Sequence, residues 1–523
     1  MAKYLKTEQG YIDASIFAPA SFKPAGKSYL TFSSPKSFTL KVNDSTKHWD
    51  GTLEYFSADK VWAVWDGTTI LSAYNNDGEY VLYLRGTGNT VITGRTANGA
   101  SDTYRWVLTG SDIACVGNIE NLLDYATVES GQHPTMAEAC YVYMFFDCTS
   151  LTQTPTLTAT TLADYCYCGM FVRCTSLTQT PVLPAITLSY GCYQDMFFGC
   201  TGLTQAPALP VTTLASYCYY QMFWNCTNLT QAPALPATTL AEYCYRSMFS
   251  GCTSLTQIPS LPATTMASSC YYQMFQNCTG LTQAPALPAT TLASECYFNM
   301  FYGCTALTQA PALPATTLVS YCYSNMFYGC TALTQAPALP ATTLANYCYN
   351  GMFNGCTSLT QSPALPATTL ASWCYASMFC GCTALTQAPT LPATTLVDSC
   401  YNDMFCGCTA LTQAPALPAT TLANYCYQGM FDGCTSITQA PALPAITLAD
   451  YCYYYMFNGC TKIKLSSTQT EEYTQEYRIP TFGTGTTAID ALTDMFTNTG
   501  GTFTGTPEIN TTYYLSNTNT VVS

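Results

Sequence analysis

Cys270-Tyr-Tyr-Gln-Met-Phe-Gln-Asn-Cys278-Thr-Gly-Leu-Thr-Gln283-Ala-Pro-Ala-Leu-Pro288-Ala-Thr-Thr291-Leu-Ala-Ser-Glu295 is followed, from Cys296, by the same pattern again. Cysteines recur at this 26-residue step from Cys140 to Cys452, and a second series keeps the same step from Cys148 to Cys460. With the first cysteine as slot 1, the unit reads C-Y-x-x-M-F-x-x-C-T-x-L-T-Q-x-P-x-L-P-A-T-T-L-A-x-x, and Tyr at slot 2 and Met-Phe at slots 5 and 6 are present in all thirteen copies. A fixed period of this length marks a solenoid, whose units bury their apolar faces only against one another.

At about 100° per residue, slots 24, 1, 5, 9, 2 and 6 gather into one stripe, represented by Ala163, Cys166, Met170, Cys174, Tyr167 and Phe171. This spacing predicts a helix of about three turns from slot 24 to slot 9 of the next unit. Threonines at slots 21 and 22 are its expected caps, and the glycine found at slot 8 in nine units is its expected stop. Slots 25, 26, 3, 4, 7 and 8 fall on the opposite side, and they are the slots that vary. The following L-T-Q-x-P-x-L-P reads as a short strand. Its pairing is confined to slots 12 to 14, because proline at slot 16 has no N–H. Glutamine at slot 14, from Gln153 to Gln439, either stacks its amides in a column or faces solvent.

The A-x-x-C-Y-x-x-M-F-x-x-C-T-x-L-T block, repeated from Cys140 to Ile463, resembles the BspA-type leucine-rich repeats and the related 26-residue bacterial surface-protein repeat, as found in phage-encoded tail fibre-like proteins. The resemblance implies an α/β fold. Its form would be a right-handed β/α solenoid of thirteen coils plus caps, with parallel strands, used for adhesion or recognition and not for catalysis.

The rest of the chain divides by texture. Residues 1–28, with Pro19, Pro24 and Gly26, read as an arm or linker. Residues 29–110 alternate in runs such as Ser37 to Val42, Thr52 to Phe56 and Glu79 to Leu84, with turns at Asp66-Gly67 and Asn76-Asp77-Gly78. They form an expected small antiparallel β domain. Residues 111–139 are expected as an N-terminal cap coil, 140–465 as the solenoid and 466–490 as an insertion loop. Residues 491–523 are expected as a C-terminal cap coil, in which Met495-Phe496 recurs with Ala491 and Thr499 in the cysteine slots.

Charge narrows the partners. Sixteen basic residues stand against thirty acidic ones, a net charge of −14. Between Trp106 and Thr461 the only Lys or Arg residues are Arg173 and Arg246. Neither nucleic acid nor an anionic membrane fits that surface. No run of eighteen apolar residues occurs, so membrane insertion is not expected. The opening residues lack the apolar core of a signal peptide. The expected location, virion or extracellular without a secretion signal, suits a particle component released by lysis.

The chemistry of sites is sparse. The C-x7-C spacing does not suit zinc, and the three C-x-C pairs (Cys166/Cys168, Cys380/Cys382, Cys406/Cys408) each straddle the buried and exposed stripes, so no metal and no cofactor is expected. Within a helical unit, slots 1 and 9 would lie about 12 Å apart, out of disulfide reach. The repeat cysteines are then compact core residues or bridges between neighbouring coils. Cys380 and Cys406 share slot 7 of consecutive coils. Helices about 8 to 10 Å apart would hold them near each other but unbonded. The only histidines are His48 and His133, neither near a nucleophile motif, so no catalytic residue is assigned and no enzyme is expected. A carboxylate pair in the β domain stays open as a third reading. Trp49, Trp62 and Trp65 serve either as β-domain core or as a sugar-stacking platform.

Aromatics on the variable stripe point to recognition. Slot 7 carries Phe146, Phe198, Trp224, Tyr302 and Tyr328, and slot 3 carries Tyr220, Arg246, Tyr272 and Phe298, among small polar residues. This is the mixture of a binding paratope. The expected function is non-enzymatic recognition or adhesion, as a phage tail fibre or receptor-binding component. Its expected partner is a cell-surface protein or glycan of a bacterial host, with other virion proteins contacted through the N-terminal region. The alternative is a self-assembling structural fibre or scaffold subunit, a homo-oligomer whose exposed aromatics contact other copies.

Overall fold

The computed structural model describes residues 4–7, 10–13, 23–44, 46–94 and 104–522. The arm expected at 1–28 falls partly outside them, Pro19 included. Its described parts are strands β1 (Tyr4–Thr7) and β2 (Gly10–Asp13), paired antiparallel. The chain forms two compact units. The first comprises residues 1–187 and 200–203, the second residues 188–199 and 204–523.

In the first unit, β3 (Leu30–Ser34), β4 (Thr39–Val42), β5 (Thr52–Phe56), β6 (Trp62–Val64), β7 (Leu71–Ser72), β8 (Tyr74–Asn76), β9 (Glu79–Thr87), β10 (Trp106–Thr109) and β11 (Ile113–Val116) precede helix α1 (Asn121–Glu129) and strand β12 (Leu151–Gln153). One sheet runs β12-β11-β3-β9-β5-β6, with β8 also on β9, and a second runs β10-β4-β7. Alternation along β3 and β4 sends Leu30, Phe32, Leu40 and Val42 inward. There they meet the buried Trp65 and Trp106. Within the stretch expected as a cap coil, Asn121 begins α1, which packs on β9.

The sheet continues into the repeat. β11 is antiparallel to β3 and parallel to β12, the first repeat strand. The first coil has no preceding coil to satisfy its carbonyls, and the β domain supplies the donors. Ile92 N–H reaches Cys140 O at 2.9 Å, Thr93 Oγ1 reaches Val142 O at 2.8 Å, and Trp106 N–H reaches Met144 O at 2.8 Å.

The expected helix is overturned. From slot 24 to slot 9 the backbone is a chain of tight turns with a left-handed residue every fourth position. In the unit around Cys322 these are Tyr321 (φ 59°), Asn325 (φ 51°) and Gly329 (φ 69°). An L-residue there costs about 1–2 kcal/mol and ends any right-handed helix. Hydrogen bonding makes the arrangement stable, because each N–H from Tyr321 to Cys330 has a destination. Odd slots close turns within the coil: Met326 N–H donates to Tyr323 O at 3.2 Å, Tyr328 to Asn325 at 3.1 Å and Cys330 to Phe327 at 3.1 Å. Even slots donate to the next coil: Tyr323 N–H to Cys348 O at 3.1 Å, Asn325 to Asn350 at 2.8 Å, Phe327 to Met352 at 2.9 Å and Gly329 to Asn354 at 2.7 Å. Glycine at slot 8 is therefore a left-handed turn residue and not a helix stop. Nor do the slot 22 threonines cap helices; pairs such as Thr213 and Thr239, or Thr317 and Thr343, form single parallel bridges between coils.

The expected three-residue strand survives in full only at β12. Between coils, slot 14 elsewhere makes one-residue parallel bridges, such as Gln205 to Gln231 and Gln309 to Gln335, where proline at slot 16 has no N–H to offer the ladder; Gln439 begins a longer pairing, with a strand at the end of the chain. These glutamine side chains face solvent. Inside, Cys, Tyr, Met, Phe and Cys of slots 1, 2, 5, 6 and 9 are buried in coil after coil. Equivalent rings stack: Phe301 on Phe327 at 5.7 Å and 2°, Tyr297 on Tyr323 at 5.7 Å and 3°.

The second unit ends on a cysteine-free coil. Tyr453, Phe457 and Gly459 N–H groups reach Ala491, Met495 and Thr497 carbonyls at 3.0, 2.9 and 2.9 Å. Strands β13 (Gln439–Pro441), β14 (Leu465–Ser466), β15 (Tyr473–Arg478), β16 (Thr512–Ser516) and β17 (Thr520–Val522) close it, with β13 parallel to β17 and β14-β16-β15 antiparallel. The segment 466–490, read as an insertion loop, thus holds strand β15. Alternation explains the difference: Tyr477 turns inward, ends the phenylalanine column edge-on against Phe496 at 6.0 Å, and donates its hydroxyl to Pro441 O at 3.1 Å.

Candidate recognition face

The turn chain decides where the variable side chains stand. Left-handed residues every fourth position set slots 26, 3, 4, 7 and 8 between the residues of the buried ladder, where small or polar side chains such as Asp195, Ser250 and Ser399 are buried and most large ones are half-buried, and hydrogen-bonded coils stack each slot in a column. All nine aromatic or arginine positions singled out from sequence are half-buried. Phe146 belongs to the first unit, where Arg105 and Arg173 lie 4.9 and 5.4 Å from its ring centroid and Asp147 pairs with Arg173 at 2.7 Å. The other eight belong to the second unit.

There, slot 3 forms one continuous column. The Arg246 guanidinium lies 3.9 Å from the Tyr272 ring and 6.0 Å from that of Tyr220, and Tyr272 stacks on Phe298 at 4.7 Å. Slot 7 forms two separate pairs, Phe198 with Trp224 at 5.2 Å and Tyr302 with Tyr328 at 4.6 Å. The structure therefore joins Tyr220, Arg246, Tyr272 and Phe298, and separates the Phe198 pair from the Tyr302 pair.

A third column went unread in the sequence. Slot 26 stacks Tyr217 on Tyr243 at 4.6 Å, Tyr321 on Tyr347 at 4.6 Å, Tyr347 on Trp373 at 5.6 Å and Tyr425 on Tyr451 at 4.8 Å. It joins the slot 3 column through Tyr217 and Tyr220 at 5.6 Å, Arg246 and Tyr243 at 5.4 Å, and Phe298 and Tyr321 at 6.3 Å. The signal was present, since slot 26 was already assigned to the outer side and is Tyr or Trp in most units. Within these columns neighbouring rings cover each other's faces, leaving ring edges and hydroxyls for a partner.

The tryptophans of the β domain behave as core: Trp49 and Trp65 are buried 5.0 Å apart, and Trp62 is half-buried beneath Arg85 at 4.1 Å. The cysteines are all free thiols, and all but Cys380 and Cys406 are buried. Slot 9 has a further role that packing alone does not give. Its thiol donates to the slot 6 carbonyl of the preceding coil, as in Cys278 to Phe249 O at 3.0 Å and Cys434 to Phe405 O at 3.0 Å. Burial pushes Cys244 and Cys304 up to about 12, so these thiols stay protonated. Among the described residues, no cluster of three or more His, Cys, Asp or Glu is arranged to hold a metal ion, and no helix is long and apolar enough to cross a membrane.

The 26-residue period, the coil-to-coil bonding and the buried Cys-Tyr-Met-Phe-Cys ladder are those of a leucine-rich repeat solenoid, and the family model described as BspA type leucine rich repeat region matches overlapping segments from residue 170 to 477, over half of the chain. The chain belongs to the BspA-type leucine-rich repeat family. Among curated proteins, no match was found. Repeats of this family suggest protein–protein interaction or adhesion, which sends attention to the columns of the outer face.

Proposed function

We propose that this BspA-type repeat protein is a non-enzymatic recognition and adhesion protein that binds a protein partner through the outer turn face of its second unit. One observation carries the reading: half-buried aromatics crowd slots 26, 3 and 7, whereas the Thr-Gln-x-Pro side repeats with almost no variety. Uniform surfaces discriminate poorly, and binding energy concentrates in aromatic anchors. Ring edges and hydroxyls, with Arg246 between tyrosines, suit a peptide surface better than stacked sugar rings, because the ring faces are already occupied. The setting carried over from the sequence is a right-handed solenoid of thirteen coils in a phage tail fibre or receptor-binding component facing a bacterial surface.

Binding of the purified chain to bacterial cells tests both face and setting. Replacing Trp224, Tyr302 and Tyr328 by alanine removes three half-buried rings without touching the buried ladder. Each such anchor typically contributes about 2 kcal/mol, so binding should vanish while the circular dichroism spectrum is kept. Retained binding in this variant, with loss on changing Thr230 and Gln231, would move the function to the other face. Light scattering in which the parent assembles and the triple variant does not would favour the self-assembling fibre instead.

A further inference from the structure

We propose that Cys380 and Cys406 form a reversible intercoil disulfide, a thiol modification site on the outer face of the second unit. They occupy slot 7 of consecutive coils and are the only cysteines that are not buried. The sequence reading placed them on helices too far apart to bond. Without helices, the separation is set by backbone hydrogen bonds between coils. Gly355 N–H donates to Cys380 O at 2.7 Å, and Gly381 N–H to Cys406 O at 2.6 Å. Coils bonded in this way lie roughly 4.8 Å apart, inside the range of about 4.4 to 6.8 Å for Cα atoms of a disulfide. Side chains at the same slot confirm the spacing, since the Tyr302 and Tyr328 rings stack at 4.6 Å.

The two thiols also hydrogen-bond each other, which holds Cys380 below the usual thiol value and raises Cys406. Either thiol can react first, and the steps are the same with the two exchanged. With glutathione disulfide as oxidant, the Cys380 thiolate attacks one glutathione sulfur. A Cys380–glutathione mixed disulfide forms and one glutathione thiolate leaves. Cys406 then loses its proton and attacks the Cys380 sulfur, displacing the second glutathione thiolate. Two protein thiols are oxidised and one disulfide is reduced to two thiols. The buried slot 1 pair Cys374 and Cys400 has the same coil spacing but no access to the oxidant, and so serves as an internal control.

The test uses the full chain, kept native in glutathione disulfide, then alkylated, digested and read by mass spectrometry. The expected product is a Cys380–Cys406 crosslinked peptide, with Cys374 and Cys400 recovered as alkylated thiols. Two separate glutathione adducts without a crosslink, or oxidation of Cys374 and Cys400 at a matching rate, would overturn the proposal. In Cys406→Ser the reaction should stop at a stable mixed disulfide on Cys380. In Cys380→Ser it should stop at a stable mixed disulfide on Cys406. A variant that forms no adduct would show its remaining thiol closed to the oxidant and overturn the site, and a circular dichroism spectrum matching the parent verifies that both variants are folded.

Discussion

Replacing Gly355 by alanine tests the left-handed backbone at slot 8 by the sign of its effect. Gly355 sits at slot 8 with φ 72°, and a Cβ built there would meet Gly329 Cα at 3.6 Å, an ordinary contact. Steric clash is therefore small, and backbone conformation decides. Holding an L-residue in the left-handed region costs about 1–2 kcal/mol. In a helix interior the same change would stabilise by about 1 kcal/mol. With a urea dependence of roughly 1–3 kcal/mol per molar, the turn geometry predicts a midpoint lowered by roughly 0.3–2 M, followed by far-ultraviolet circular dichroism. Gly355→Asn should fall by less, since asparagine tolerates the left-handed region. A midpoint that rises in Gly355→Ala would refute the left-handed turn at this position.

Alkali should unfold the protein through its cysteines. Burial raises Cys244 and Cys304 to about 12 from 9.0, so above pH 9 the unfolded chain binds fewer protons than the folded one, and stability falls as pH rises from 9 toward 12. Each such thiol contributes about 1.4 kcal/mol per pH unit over that window, so a handful matches an ordinary folding stability of about 5–15 kcal/mol; a circular dichroism signal unchanged at pH 11 would contradict it. Asp195 is buried at slot 4, and burial raises its carboxyl to about 7 from 3.8, so its ionisation opposes folding increasingly from pH 4 to pH 7. Asp195→Asn should raise stability at pH 7.5 by about 1–4 kcal/mol and by little at pH 4, measured as two urea midpoints. Gly86→Ala in β9 should severely destabilise the first unit, because its Cβ would collide with the Leu122 carbonyl of α1; a thermal midpoint within a few degrees of the parent would show that α1 is free to move away.

Much of this was legible in the residues and misread for a specific reason. The apolar pairs at slots 1–2 and 5–6, with Cys at slot 9, recur at a period of four, close enough to 3.6 that a helical wheel gathers them into one stripe. The distinction lay in the residues between them. Apart from Ala139, Arg173 and Glu295, slots 26, 4 and 8 carry Gly, Asn, Asp, Ser, Gln or aromatics, and none carries Val, Ile or Thr, as in Tyr321, Asn325 and Gly329, which fits a left-handed residue every fourth position. The same wheel placed slot 26 outside, but its tyrosines were not counted with those of slots 3 and 7.

By itself the sequence determined the period, the solenoid class, the membership of the buried ladder and the side on which variation falls, because each follows from which residue types repeat. What only the tertiary structure decided is where the backbone hydrogen bonds go. A slot 8 glycine stops a helix or turns a coil according to whether the N–H groups before it, such as those of Asn325 and Phe327, close on their own coil or reach Asn350 and Met352 of the next. That choice depends on a neighbour 25 residues away, and it fixes the coil spacing. The spacing in turn stacks Tyr302 on Tyr328, lines Arg246 up with Tyr272, and brings Cys380 within reach of Cys406.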